Sequence, residues 1–148
     1  MKENDFAPII SIYLGNILIS DKVPTESEKG ADRVALNIAN LAKSLMEKMG
    51  LTADDMEGIG MGVPGMIDSK AGNVIYSNNL KWKDFRIGEK VAELTGLRVK
   101  IANDANVAVL GEVVFGGAKN KKNVILLLRK SCYARIKIKI HSVFFYTQ

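Results

Sequence analysis

Val34, Ile38, Leu41, Leu45 and Met49 recur at three- and four-residue intervals, a spacing that on a 3.6-residue helix lines them along one face. The face ends at Gly50, a residue suited to the left-handed turn that closes a helix. Upstream, Thr25 followed by Glu28 has the spacing of a capping box and predicts the start. This amphipathic helix is flanked by extended segments. Ile9, Ile10, Ile12, Tyr13 and Leu14, then Ile17, Leu18 and Ile19, surround Gly15-Asn16 and predict a hairpin over 8–23. Met56 to Val63 reads as a buried strand stopped by Pro64-Gly65, because proline has no amide hydrogen for a ladder. Val74-Ile75-Tyr76 follows the turn signal Gly72-Asn73. A second helix carries Ile87, Val91 and Leu94 and closes at Gly96, before a strand over Arg98 to Ala102. Val107, Leu110 and Val114 predict a third helix, and Asn123 to Leu128 one more strand. Strands alternating with helices predict an α/β fold with a largely parallel, helix-covered sheet.

A chain of 148 residues has room for one domain of this kind. No apolar run approaches the ~18 residues of a membrane span, and Met1-Lys2-Glu3-Asn4-Asp5 is unlike a signal peptide. A cytoplasmic protein is expected. The single Cys132 and single His141 form no metal-ligand cluster and no internal disulfide. The net charge of +5 is concentrated at one end: no acidic residue follows Glu112, while Lys119, Lys121, Lys122, Arg129, Lys130, Arg135, Lys137 and Lys139 do. A basic tail without a recognised binding module argues against a nucleic-acid partner. Within it, Arg135 to Ile140 alternates basic and apolar residues and predicts a strand, either capping a sheet edge or forming an appendage.

Three short motifs carry the chemistry. Gly60-Met61-Gly62-Val63-Pro64-Gly65 has the spacing of a dinucleotide loop, but the residues that follow lack helical periodicity, so a glycine-rich strand end in close contact with a helix or ligand is the better reading. Ser77-Asn78-Asn79-Leu80-Lys81-Trp82 sets two amides beside an aromatic ring, which suits a polyhydroxylated ligand, since Asn both donates and accepts; the same residues also serve as ordinary turn chemistry. Ile101-Ala102-Asn103-Asp104-Ala105-Asn106 stands where a strand passes into a helix. Open α/β sheets hold ligands there, and there Asn103 or Asp104 is equally able to act as a plain helix cap.

Taken in order, Gly62-Val63-Pro64-Gly65, Asn78-Asn79-Leu80 with Trp82, and Asn103-Asp104-Ala105-Asn106 with Gly111-Glu112 resemble the ROK family of bacterial sugar kinases and repressors, and its glucokinases most. The resemblance runs from about Val23 to Leu127 and takes in the helix from Gly30 to Met49. It implies a ribonuclease-H-like fold of the actin and sugar-kinase superfamily, present as an N-terminal lobe over 1–128 with a mixed sheet covered by helices. It further implies ATP-dependent phosphorylation of a hexose, glucose to glucose 6-phosphate. Asp104 would be the catalytic base, Asn79 and Asn103 would hold sugar hydroxyls, and Gly65 would let the backbone approach the sugar. ATP and Mg2+ are the implied cofactors, a small-molecule sugar the implied partner, and a homodimer the family's common assembly.

The ends depart from that pattern. Where the family has an Asp-x-Gly-Gly-Thr phosphate loop, Ile12-Tyr13-Leu14-Gly15-Asn16-Ile17 stands here. After Leu127, Leu128-Arg129-Lys130-Ser131-Cys132 and the basic tail of 129–148 replace a second phosphate loop and the C-terminal domain with its zinc-binding cysteines. Truncation or a frameshift at both ends is therefore expected, with little activity in the chain alone. The alternative is a non-catalytic sugar-sensing module like the family's repressors, against which stands the lack of residues for a DNA-binding helix-turn-helix before Pro8.

Overall fold

The computed structural model describes residues 5–6, 9–11, 17–21, 23–119, 121 and 142–146, and among these it has three α-helices, two 3-10 turns and ten strands. The strands are β1 (Asp5–Phe6), β2 (Ile9–Ser11), β3 (Ile17–Ser20), β4 (Val23–Pro24), β5 (Gly58–Val63), β6 (Met66–Asp68), β7 (Asn73–Ser77), β8 (Trp82–Phe85), β9 (Val99–Asn103) and β10 (Ser142–Tyr146); the helices are α1 (Ala31–Lys48), α2 (Ile87–Thr95) and α3 (Asp104–Val114). The predicted N-terminal hairpin is present as β2 and β3, paired antiparallel with Ile10 level with Ile19. The central sheet has the order β3-β2-β10-β5-β9. Its β10, β5 and β9 are parallel, while the hairpin adds antiparallel strands, so the sheet is mixed, as the family resemblance implies, and less parallel than strand–helix alternation alone predicts.

The apolar stripe of α1 does what its spacing requires. Val34, Ile38, Leu41 and Leu45 are buried, and only Met49, in the last turn, is left 36% exposed. They pack with Ile59, Met61 and Val63 of β5, whose alternate residues face the same core. The helix stops as predicted: Gly50 takes φ 66, its N–H reaches the Glu47 carbonyl, and the Leu51 N–H reaches that of Met46, the paired bonds of a Schellman ending. Its start differs from expectation. Thr25 is buried, a single 3-10 turn covers Ser27–Lys29, and α1 begins after Gly30 (φ 96) with no side-chain cap. The Thr25–Glu28 spacing therefore does not cap α1. Glu26, bonded to Lys29 and Asn37, organises this entry instead, and those partners hold its carboxyl below the usual range. A true capping box forms at Thr52 and Asp55, ahead of β5.

Beyond β5 the chain turns into a three-stranded antiparallel sheet, β6-β7-β8. A strand, not a helix, follows Gly65, so the glycine segment does not itself open a helix and the dinucleotide-loop reading falls, as the missing helical periodicity after Gly65 predicts. Helix α2 closes at Gly96 (φ 72) as predicted. In α3 the buried positions are Ala108 and Gly111, while Leu110 and Val114 are 45% and 37% exposed, so the helix rests on its small residues and turns its large ones outward. The strands predicted over Asn123–Leu128 and Arg135–Ile140 lie outside the described residues.

Candidate functional site

Parallel pairing sets Val63 of β5 level with Asn103 of β9, so the carboxyl ends of both strands open on the same side. There the chain leaves β5 through Pro64-Gly65 and leaves β9 directly into α3. Asn103 is the joint between them. It is the N-cap of α3 (φ −61, ψ 136), and its Oδ1 accepts from the N–H groups of Ala105 at 3.0 Å and Asn106 at 3.3 Å. Its Nδ2 donates to the Gly65 carbonyl at 2.8 Å. The helix-cap reading of Asn103 is thus correct, and the amide keeps one N–H for any ligand.

Gly65 is a glycine by necessity. At φ 123 a side chain is strained, and a Cβ placed there meets the Tyr76 carbonyl oxygen at 2.3 Å and the Ser77 Cα at 2.9 Å. The close approach that the residue permits is therefore, first, to β7. Strand β7 leads directly to the third motif residue: Asn79 lies exposed in the turn between β7 and β8, where the Lys81 N–H reaches the Asn78 carbonyl and the Leu80 N–H reaches Ser77 Oγ. Lys81 holds φ 56 in this turn, a left-handed conformation that a lysine adopts only at some cost. Gly65 and Asn103 are thus directly bonded and Asp104 is adjacent; Asn79 belongs to the hairpin against which Gly65 packs and makes no hydrogen bond with the other three.

Asp104 is the first residue of α3 and half-buried. Its Oδ1 accepts from the Ala105 N–H at 2.9 Å. Burial pushes its carboxyl above the usual aspartate range, partly offset by the hydrogen bonds from Ala105 and from its own N–H, which favour the ionised form. A carboxylate poised higher than normal, at the mouth formed by two parallel strands, is suited to taking a proton.

Three residues take roles that sequence reasoning misjudged or missed. Trp82 does not flank the amides as a ligand platform: it is 5% exposed, packed edge-on against Phe85 at 5.2 Å, and part of the hydrophobic core. Tyr76, 52% exposed, donates from its hydroxyl to Asn78 Oδ1 at 3.4 Å and steadies the amide loop from outside. Alternation along the strand did not mark it, since Val74, of the same parity, is buried and both Ile75 and Tyr76 are exposed. Glu112 also acquires a role, since its Oε2 accepts from the Gly117 N–H at 3.0 Å and folds the chain back at the end of α3.

An open groove of about 960 Å³ runs beside edge strand β9, lined by Val99, Ile101, Val107 and Leu110 among others, and contains none of Gly65, Asn79, Asn103 or Asp104. Its exposed lining is mainly apolar, with Lys70, Arg86, Glu89 and Lys100 at its border, and the motif residues at the strand ends lie apart from it. Among the described residues no three His, Cys, Asp or Glu side chains converge to hold a metal ion, and no helix is long and apolar enough to cross a membrane.

A mixed sheet flanked by helices, with a glycine loop and a helix start at the carboxyl ends of adjacent parallel strands, is an arrangement of the actin and hexokinase-like fold. The chain belongs to the ROK family, whose model matches residues 5–128. It is 34% identical over 113 residues to a glucokinase of Halalkalibacterium halodurans, covering 76% of this chain and 34% of that protein. It is 41% identical over 68 residues to the xylose repressor of Bacillus subtilis, covering 46% and 17%. Among solved structures it superposes on the ROK glucokinase of Streptomyces griseus, in complex with glucose and AMPPNP, with a TM-score of 0.71 at 29% identity, over 81% of this chain and 36% of that one. The ROK hexokinase of Thermus thermophilus gives 0.62 at 28% identity, over 79% and 38%. The chain spans about a third of the length of the glucokinases it matches.

Proposed function

We propose that this chain is the sugar-binding lobe of a ROK-type hexokinase acting on glucose, carrying the catalytic base of the phosphoryl transfer. The observation that supports it most is Asp104: a half-buried carboxylate with a raised pKa at the start of α3, held beside the Asn103–Gly65 joint. In the proposed reaction the 6-hydroxyl of the sugar gives its proton to the free oxygen of Asp104 as the hydroxyl oxygen forms a bond to the γ-phosphorus of ATP. The bond from that phosphorus to the bridging oxygen breaks, and ADP leaves. Catalysis of this kind is positioning and charge stabilisation. Asn79 and the remaining N–H of Asn103 orient ring hydroxyls, and a sugar of the wrong epimer leaves such groups unpaired. Magnesium accompanies ATP in this chemistry; the described residues offer no ligand cluster for it, and no step here depends on one.

Calorimetric titration of glucose into the purified chain, with galactose as control, tests this reading. Saturable binding that favours glucose and weakens in an Asn79→Ala, Asp104→Asn variant supports it; equal heats for both sugars overturn it. A second reading, a sugar-sensing lobe without phosphoryl transfer, is favoured by the similarity to xylose repressors. Xylose bound in preference to glucose would select it.

A further inference from the structure

Among the described residues, the hairpin β2–β3 joins β5 and β9 only through β10. Strand β10 runs antiparallel to β2, with Val143 level with Ile10, and parallel to β5, with Ser142 through Tyr146 level with Gly58 through Gly62. The family match stops at residue 128. The middle strand of the sheet is thus drawn from a segment outside the family pattern, laid into a slot between two strands that belong to it.

Empty, that slot would present two sheet edges with unpaired N–H and C=O groups. Pairing along such edges is made by the main chain and accepts many sequences, with side-chain preference set by what stands level with each position. Here Gly58, Gly60 and Gly62 stand level with Ser142, Phe144 and Tyr146, so β5 brings no side chain against alternate positions of the occupant. Ser-Val-Phe-Phe-Tyr is an uncharged, aromatic and β-branched segment without proline or glycine, the composition that enters such a ladder. Between it and Lys121, the described residue before it, lie the 20 residues 122–141. A segment of that length, extended, spans up to roughly 70 Å, against a radius of gyration of about 15 Å for a folded chain of this size. The same strand of a second copy can therefore reach the slot.

We propose that the slot between β2 and β5 is a strand-acceptor site through which two copies of this chain associate by reciprocal exchange of Ser142–Tyr146. The exchange is two-fold and closed, because each copy gives and receives the same strand. The tethered strand competes at an effective concentration on the order of millimolar, so dilute refolding gives the closed monomer and concentrated refolding gives the exchanged dimer.

Cysteine pairs test this in the full chain, with Cys132, the single native cysteine, replaced by serine. The doubly substituted Ile10→Cys, Val143→Cys chain should close into a disulfide-bonded monomer after dilute refolding, whereas Ile10→Cys with Phe144→Cys, out of register, should not. Chains carrying Ile10→Cys alone and Val143→Cys alone, differently tagged and refolded together at high concentration, should form the mixed disulfide dimer roughly tenfold more than either like pair, since a disulfide requires Cα atoms within about 7 Å. Mixed dimers no more abundant than like pairs, with the double variant closing normally, would show that the slot excludes a second copy. Failure of the in-register double variant to close would show that β10 does not occupy the slot, and either result overturns the proposal.

Discussion

Asn103 Nδ2 donates to the Gly65 carbonyl across 2.8 Å, binding the start of α3 to a loop 38 residues earlier in the chain. Through that one amide the two motif segments become a single rigid site, because the same side chain also caps α3. Replacing it separates the two roles. Asn103→Ala should cost about 1–3 kcal/mol in urea unfolding, from loss of the cap and the cross-loop bond. Asn103→Asp keeps the cap acceptor, loses the donor to Gly65, and should cost less than the alanine. Equal losses for the two variants would remove the cap from the account.

Gly65 and Gly50 both have positive φ but differ in surroundings. A Cβ at Gly65 strikes the β7 backbone, whereas at Gly50 it meets nothing within 4 Å. Gly50→Ala should cost about 1 kcal/mol, the conformational term alone. Gly65→Ala should cost roughly 2–4 kcal/mol, strain and overpacking together, and should displace the Asn103 joint. Thermal melts of the two variants side by side decide this.

The raised pKa of Asp104 has a definite sign for stability. The folded state holds that proton more tightly than the unfolded chain, so the group favours folding fully below the ordinary value of 3.8 and loses that contribution as pH rises through the higher folded value. At neutral pH the ionised carboxylate is therefore a net cost. Asp104→Asn should unfold at higher urea than the parent at pH 7, with the gap closing as pH falls below about 3.8. A gap that widens on acidification would contradict the burial argument.

Asn79 is exposed and its side chain makes no hydrogen bond with another described residue, so its removal should leave stability within about 0.5 kcal/mol. If it holds a sugar hydroxyl, Asn79→Ala should weaken glucose binding roughly 3–10-fold, the worth of one neutral hydrogen bond. Affinity and unfolding midpoint, measured on the same preparation, separate a ligand role from a structural one.

Along α1, Leu45 is fully buried and Met49 is 36% exposed. Leu45→Ala should lose about 2–5 kcal/mol, and Met49→Ala about 0.5 kcal/mol or less. Trp82, buried among the same core residues, supplies the fluorescence signal for these unfolding curves.

Much of this was legible in the residues alone. The stripe of α1, its stop at Gly50, the strand ending at Pro64, α2 with its stop at Gly96, and the strand-to-helix passage at Asn103-Asp104 are local features. Each rests on side-chain periodicity or on the backbone angles a single residue permits. Gly65, Asn79, Asn103 and Asp104 became candidates only through the resemblance of their motifs to the ROK family, whose model matches residues 5–128. Other readings needed tertiary structure because their cause is distant in sequence. Thr25 has the spacing of a cap, but its environment buries it; Trp82 sits beside two amides in sequence, but its ring turns into the core. Leu110 and Val114 of α3 face outward while Ala108 and Gly111 are buried, a rotation of the helix that its own apolar spacing does not give. Above all, the order β3-β2-β10-β5-β9 depends on main-chain pairing between segments far apart along the chain. Such pairing is fixed by geometry in space and leaves no local signature, so only the folded molecule decides that Ser142–Tyr146 completes the sheet and that Asn103 meets Gly65.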